Sequence, residues 1–454
     1  MLTEYAAPAD EAYFDDLRDR EFRRLAAHDS VYLDYAGSAL YADSHLRAHH
    51  ALLTAGLFGN PHSEHLPSRA SADTIASARR RVLSFLDADE DSFVVCFTAN
   101  TSAAIKLVAE SYPFEPGRVC VLSADNHNSV NGLREFARRA GSSVVYLPLD
   151  ATLRLKDPEV RLRQHAGTNG GLFAFPAQSN FSGVQHPLSL VHTAHRAGMD
   201  VLVDLASFAP AHAFSLRACP ADFVALSFYK VFGYPTGIGA LVARREALDR
   251  LVRPWFSGGT VAYVSVQLAR HQLLERAEGF EDGTPNFLGI AALDYGFDIL
   301  EGVAMPRLTR HVERLTSLLL EELCALRHST GAPMIRVYGP PHMDDRGGTV
   351  AFNVLSAGGQ VVPYWDVEEA ATASRVALRG GCFCNPGASE SAFGLDPLHT
   401  TDCLARLGRG FTMERFRSCL DDGTAVGAVR ASFGLANNAA DVERAIAVIA
   451  RFRT

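Results

Sequence analysis

Ser227-Phe228-Tyr229-Lys230-Val231-Phe232-Gly233-Tyr234-Pro235-Thr236-Gly237-Ile238-Gly239 is the stretch on which the fold turns. The apolar run before it, 223–226, reads as a buried strand that delivers one lysine into a segment where glycines and a proline block regular continuation. An ammonium carried into apolar surroundings loses hydration, which lowers its pKa and frees a nucleophilic amine for a carbonyl. Lysines ordinarily sit on the surface. This chain has only three, Lys106, Lys156 and Lys230, among 43 basic residues, so solvation has been given to arginine and Lys230 has another task.

On both sides of that stretch, apolar runs alternate with helical periodicity. Strands are predicted at 92–97, 119–123, 144–147, 171–175, 201–203 and 223–226, and helices over 68–86, 103–110, 130–140 and 188–197. Near-continuous apolar strands separated by helices predict an α/β fold with a mostly parallel sheet covered on both faces. Ligands of such sheets lie at the carboxyl ends of the strands. Four polar groups fall there: His127, Asn180, Asp204 and Lys230. After the strand at 92–97, Thr98-Ala99-Asn100-Thr101-Ser102 opens a helix, and free N–H groups at a helix start suit a phosphate. Taken alone, the same residues also make an ordinary helix cap.

Singly, His127 reads as a loop histidine, Asn180 as a turn former and Asp204 as a cap. Together they match pyridoxal phosphate. That cofactor needs a lysine for its aldehyde, a carboxylate at the pyridine nitrogen, an aromatic platform, a donor to its phenolic oxygen and a phosphate cradle. Lys230, Asp204, His127, Asn180 and the 100–102 loop would supply these in turn.

The remaining third of the chain, from about Met305, carries a helix over 308–326, a strand at 348–354 and a strand with a turn at 427–434. Arg430 in that last strand is a planar fork of the kind that grips a carboxylate through two bonds. Leu378-Arg379-Gly380-Gly381 is expected to open a mobile loop bearing Cys382 and Cys384, with Arg379 near enough to favour a thiolate. A metal pair, a dithiol switch and inert buried thiols are the other readings of this Cys-x-Cys; metal binding is disfavoured because no second pair lies nearby.

Composition narrows the partners. A net charge of -8 speaks against nucleic acid and anionic membranes, and no apolar run approaches spanning length. The segment 1–29 reads as a charged helical arm whose Glu4, Asp10, Glu11, Asp15 and Asp16 are too acidic for a leader peptide, followed by a short strand and glycine turn at 31–37. Eight scattered cysteines are expected as free thiols, and the expected compartment is a reducing cytoplasm.

The run 227–237, together with Asp125-Asn126-His127-Asn128-Ser129-Val130, Phe256-Ser257-Gly258-Gly259-Thr260, Glu281-Asp282-Gly283-Thr284 and Arg379-Gly380-Gly381-Cys382-Phe383-Cys384-Asn385-Pro386-Gly387, resembles the cysteine-desulfurase-like domain of molybdenum cofactor sulfurases. That domain is part of the class V aminotransferase superfamily, and the resemblance runs from Tyr32 to Phe452. It implies a pyridoxal phosphate-dependent transferase of fold type I: a mostly parallel seven-stranded sheet domain with a smaller α/β C-terminal domain. The implied organisation is an arm (1–40) packing with the small domain, a large cofactor domain (41–304) and a small domain (305–454).

The resemblance also implies roles. Lys230 would hold the cofactor covalently, Asp204 would face the pyridine nitrogen, His127 would stack on the ring and assist proton movement, and Asn180 would serve the phenolic oxygen and the substrate. Thr101, Ser102, Ser227 and Tyr229 would surround the phosphate, with Thr284 reaching it from the second subunit of a homodimer. Arg430 would bind the carboxylate of L-cysteine, and Cys384 would carry the persulfide before sulfur passes to an acceptor protein or cofactor of unknown identity. Ser389 stands where the sulfurases have a further cysteine. Another reaction on the same cofactor, such as elimination, and a non-catalytic sulfur carrier of the same fold are the alternatives.

Overall fold

The computed structural model describes residues 8–166, 169–420 and 424–454. Its centre is a sheet of seven strands: β1 (Phe93–Thr98), β2 (Val119–Ser123), β3 (Ser143–Leu147), β4 (Gly171–Pro176), β5 (Met199–Asp204), β6 (Phe223–Ser227) and β7 (Gly239–Arg244). The order across the sheet is β3-β2-β4-β5-β6-β7-β1. All neighbours are parallel except at β7, which runs against both β6 and β1. The six strands expected from the sequence are present. The seventh, β7, lies directly after the lysine turn and is the strand that periodicity did not expose.

Each strand reads as solidly apolar because both faces are buried. Val95 and Phe97 point into one hydrophobic cluster while Val94 and Cys96 point into the other, and Phe173 and Phe175 alternate with Leu172 and Ala174 in the same way. The helix Leu66–Phe85 matches the expected span, and its Ile75, Ala78 and Val82 are buried. The helix expected over 130–140 is two pieces, Asn128–Asn131 and Leu133–Arg139, which meet at Gly132. Gly132 itself keeps right-handed helical angles (φ -60°, ψ -23°), so the two pieces follow one another with a one-residue interruption.

A second, antiparallel sheet is built from β8 (Ile335–Tyr338), β9 (Thr349–Val354), β10 (Arg379–Gly381) and β11 (Ala428–Ser432) in the order β8-β9-β11-β10. The start of the expected cysteine loop is therefore an edge strand. Arg379 pairs with Arg430, Gly380 with Val429 and Gly381 with Ala428, so this segment is fixed by ladder hydrogen bonds.

The N-terminal helix Pro8–Glu21 lies against the far end of the chain: Arg18 clamps Asp441, and Asp10 pairs with Arg307 and Arg310 of the helix Met305–Ala325. Residues 1–7 of the expected arm, Glu4 among them, lie outside the described residues. Downstream, Val31–Tyr32 pairs in parallel with Val376–Ala377.

One cysteine expectation is overturned. Cys403 and Cys419 form a disulfide, with Cα atoms 5.8 Å apart, across the facing helices Pro397–Leu407 and Met413–Leu420. Residue density along the sequence did not register it because the two are brought together only when this helical hairpin closes. The other six are free thiols. Among the described residues no helix is long and apolar enough to cross a membrane.

Candidate active site

Strands β1, β2, β4, β5 and β6 end on one edge of the sheet, and their loops line one cavity of about 610 Å3, its open mouth included. Its walls include Asn100, Thr101, Ser102, His127, Asn180, Asp204, Ser227, Tyr229 and Lys230. Eight residues expected at the site from sequence thus share one cleft.

Lys230 sits in the short helix Phe228–Phe232, which ends at Gly233 in a left-handed turn (φ 79°). A Cβ at Gly233 would lie 2.5 Å from the Leu40 and Tyr41 backbone, so glycine is required both by conformation and by space. Burial lowers the Lys230 pKa below the ordinary lysine range, with Asp204 pulling it back up. Asp204 ends β5 and is 6 % exposed; its Oδ1 accepts the Ala206 N–H at 2.9 Å.

His127 caps the helix after β2. Its Nδ1 accepts the Ser129 N–H at 3.1 Å, which leaves the proton on Nε2. Burial holds its pKa below the usual histidine value, against the pull of Asp204, so the ring is neutral near pH 7.

At the start of the helix Thr101–Ser111, Asn100 accepts the Ala103 N–H while the Thr101 N–H and hydroxyl both meet Ser227 Oγ at 2.7 Å. Ser102 Oγ meets Ser129 Oγ at 2.5 Å. The cap reading holds, since the asparagine side chain accepts the Ala103 N–H, and Ser102 and the helix start line the same cavity. A Cβ on Gly239 would come within 2.6 Å of the Asn100 backbone, so β7 can pass behind this loop only as glycine.

Cys384 and Arg430 are not in the cavity wall. They reach it through Asn180 and Asn128. Arg430 is 2 % exposed; its Nη1 donates to the Asn180 carbonyl and its Nη2 to Asp34 Oδ1, both at 2.9 Å, while Nε is buried with no partner. The Cys384 carbonyl accepts the Asn128 N–H at 2.7 Å, and Asn180 Nδ2 donates to the Phe383 carbonyl at 2.6 Å. Asn385, fully buried, donates to Asp125 Oδ1 and Asn180 Oδ1, and the Arg430 guanidinium lies 4.6 Å over the Phe383 ring.

This loop is therefore docked and not loose, and Phe383 and Cys384 both take positive φ (55° and 56°) that the dock holds in place. Cys384 is exposed, while burial pushes the Cys382 thiol up. The expected influence of Arg379 on a thiolate is also corrected. That guanidinium is committed to Asp34, with Nη2 to Oδ2 at 2.6 Å and Nε to both oxygens.

Thr284 stands apart from this cavity. It lines a separate surface groove with Thr98, Ala99, Lys106 and Asn286, and Asn60 Nδ2 donates to its hydroxyl at 3.2 Å. Asp34, Asp125, Ser129 and Asn385 are site residues to which the sequence reading gave no role. Asp34 was readable only as a turn former, and Asp125, Ser129 and Asn385 lay inside quoted motifs without a visible partner.

The residues fit pyridoxal phosphate: one desolvated amine, one buried carboxylate across the same cleft, a neutral imidazole and a hydroxyl-lined helix start. Comparisons with known proteins agree. The class-V aminotransferase family model matches residues 31–445. Molybdenum cofactor sulfurase from Solanum lycopersicum is 36% identical, with 92% of this chain and 55% of that protein aligned. The Homo sapiens molybdenum cofactor sulfurase is 34% identical, covering 94% and 50%. The chain thus spans about half the length of the curated relatives it matches. The solved apo structure of cysteine desulfurase from Thermococcus onnurineus NA1 superposes with a TM-score of 0.79 at 25% identity, covering 99% of both chains. A sheet ending in a single desolvated lysine, matched along nearly its whole length by this family, leaves one conclusion: the chain belongs to the class-V aminotransferases.

Proposed function

We propose that this chain is a pyridoxal phosphate-dependent cysteine desulfurase that converts L-cysteine to L-alanine and holds the sulfur as a persulfide on Cys384. The observation that carries the reading is the docked loop, which presents an exposed thiol beside the cleft of Lys230, Asp204 and His127. The likeness to sulfurases and to a cysteine desulfurase supports it.

Pyridoxal phosphate, held covalently by Lys230, supplies an electron sink for charge developing at the substrate Cα. Asp204 would keep the pyridine nitrogen protonated, and Thr101, Ser102, Ser227 and Tyr229 would hold the phosphate. Asn180 would serve the phenolic oxygen, and the His127 ring would lie against the cofactor. Arg430 takes the substrate carboxylate with its unpartnered Nε.

The Lys230 amine, its pKa lowered by burial, moves the Cα proton. Cys384 Sγ, as thiolate, then forms an S–S bond to the substrate sulfur while the Cβ–S bond breaks. The electron pair stays with carbon, which takes up a proton delivered through His127, and alanine leaves. The persulfide next passes to an acceptor protein or cofactor.

Two finer points belong to the same reading. The chain acts as a homodimer, with Thr284 reaching the partner's phosphate site. Support comes from the hairpin Val261–Ser265 and Arg270–Leu273, whose surroundings expose Trp255, Tyr263, Val266 and Leu268, and which joins the Thr284 loop through Gly283 N to Gly258 O at 2.9 Å. The organisation is an arm (1–40), a large domain (41–304) and a small domain (305–454), and the compartment is a cytoplasm, where Cys384 is kept reduced and the Cys403–Cys419 bond is open to reduction as well.

Replacing Cys384 with Ser tests the reading. Alanine formation from L-cysteine should be abolished while the cofactor absorption band remains. Normal alanine and sulfide release by the variant would refute Cys384 as nucleophile, and pyruvate with ammonia from the unaltered protein would assign elimination instead.

A further inference from the structure

The segment that carries Cys384 is tied to the cleft by a chain of side-chain amides whose direction is fixed. Asn385 follows Cys384 and caps the helix Pro386–Phe393, its Oδ1 accepting the Ala388 N–H at 3.2 Å. With that oxygen committed, Nδ2 faces the other way. It donates to Asp125, at 2.8 Å to Oδ1 and 3.1 Å to the carbonyl, and to Asn180 Oδ1 at 3.0 Å. The two ends of an amide are told apart by their partners, and three of these cannot change roles: an N–H donates, while a carbonyl and a carboxylate accept. Asp125 and Asn385 are both fully buried. Ser179 Oγ and His186 Nε2 hold the Asp125 carboxylate in turn, at 2.7 and 2.8 Å.

The direction passes on to the cleft. Asn180 turns its Oδ1 to Asn385, so its Nδ2 carries the donors on the other side, one going to the Phe383 carbonyl at 2.6 Å and one left for the cavity that Asn180 lines. The backbone around Cys384 is held at the same time: the Asn385 N–H donates to the Cys382 carbonyl at 3.0 Å, and the Cys384 carbonyl accepts the Asn128 N–H at 2.7 Å. A Cβ on Gly387 would collide with the Ala124 carbonyl, so the helix start lies directly against the loop after β2. We propose that Asn385 is a positioning residue for sulfur transfer: its fixed amide holds Cys384 at the cleft and sets the direction of Asn180, so thiol and amide donor are placed together. The inference rests on Cys384 as nucleophile and goes beyond that reading by naming what aims the thiol. Asn385 touches neither substrate nor cofactor in this scheme; it acts through Asn180 and through the backbone of the cysteine segment.

Asn385→Asp separates this role from plain helix capping. Aspartate caps a helix as well as asparagine does, but here it sets oxygen against the Asp125 carboxylate, the Asp125 carbonyl and Asn180 Oδ1 at once. In the full-length holoenzyme, hydrogen exchange of the Asn128 N–H should quicken about ten-fold, because its acceptor is the Cys384 carbonyl. The first-turnover rate of alanine formation from L-cysteine should fall about 100-fold, with the loss mainly in kcat, as expected when a reacting group is misplaced by about 1 Å. Asn385→Ser carries the test without opposed oxygens. It keeps a capping oxygen but is too short to bridge Asp125 and Asn180, so exchange should again quicken and the rate should fall about ten-fold. Either readout unmoved in a folded variant would overturn the proposal. Exchange needs no turnover, so failure of the desulfurase reading, seen as no alanine from the unaltered protein, is told apart from failure of this one, seen as an Asn128 N–H that neither variant releases.

Discussion

At Gly37 the ion cluster of Asp34, Arg379 and Arg430 meets the backbone. Its Cα faces Asp34 and Arg379 so closely that a methyl group there must push the carboxylate or the guanidinium aside. Gly37→Ala is expected to cost about 1–3 kcal/mol of stability, as overpacking does, and to raise KM for L-cysteine more than it lowers kcat. Thermal unfolding together with steady-state kinetics checks this, and a stable variant with unaltered KM would show that the Asp34 contacts do not matter to the subsite. Residues of this kind were only partly legible. Lys230 stood out because lysine is otherwise nearly absent, whereas Arg430 could equally have been an ordinary strand residue and was singled out by the family motif. Asp34 did not stand out, since its partners lie 345 and 396 positions away and nothing local distinguishes it from a turn aspartate.

The helical hairpin of Pro397–Leu407 and Met413–Leu420 is small for an independent core. Cys403, Phe416, Leu420 and Val426 form its buried cluster, with Leu398 and Phe411 left exposed. The disulfide closes a loop of 16 residues, worth about 3 kcal/mol at most. Reduction, or Cys403→Ser, should leave the main unfolding transition nearly in place while opening this hairpin to proteolysis between 397 and 420. Limited proteolysis with and without reductant reads it directly, and equal cleavage rates would contradict the hairpin's dependence on the bond. Elements were the most legible scale. Strands buried on both faces announce themselves as apolar runs, so six of the seven were readable in the sequence. β7 was hidden because its Gly239-Ala240 start looks like the continuation of a turn. The 130–140 helix was read as one piece because periodicity carries across Gly132, which keeps helical angles although the helix is interrupted there for one residue. The cysteine segment was misread as loose because glycines permit mobility, whereas pairing with β11 and the Asn180 and Asn385 hydrogen bonds remove it.

Over the whole molecule, three buried histidines tie separate parts of the chain together. His45 meets the Ala292 carbonyl at 2.7 Å, His311 stacks on Phe14 of the N-terminal helix and meets the Asn437 carbonyl at 2.9 Å, and His212 packs beside Gln185. Burial lowers each from the ordinary 6.5 to about 4. A folded-state pKa below the unfolded one means that the unfolded chain binds more protons in between. Their contribution is therefore intact above about pH 6.5 and is lost as pH falls toward 4, at about 1.4 kcal/mol per pH unit for each group. The midpoint of thermal unfolding should drop clearly from pH 7 to pH 5, and a flat profile would contradict the burial of these rings. The architecture itself was legible from alternation of strand and helix, and the family motifs fixed its type. The long-range ties were not, because a histidine's partner carbonyl leaves no mark in sequence. The proposed function turns on one transfer of sulfur to one thiol. The most direct test is to incubate the purified, cofactor-loaded protein with L-cysteine and no acceptor, and then to weigh the peptide that contains Cys384 while counting alanine. The account predicts that this peptide gains one sulfur atom, removable by a thiol reductant, with one alanine formed per sulfur in the first turnover. Alanine formation with Cys384 unmodified and the sulfur on another cysteine, or no alanine at all, would contradict it.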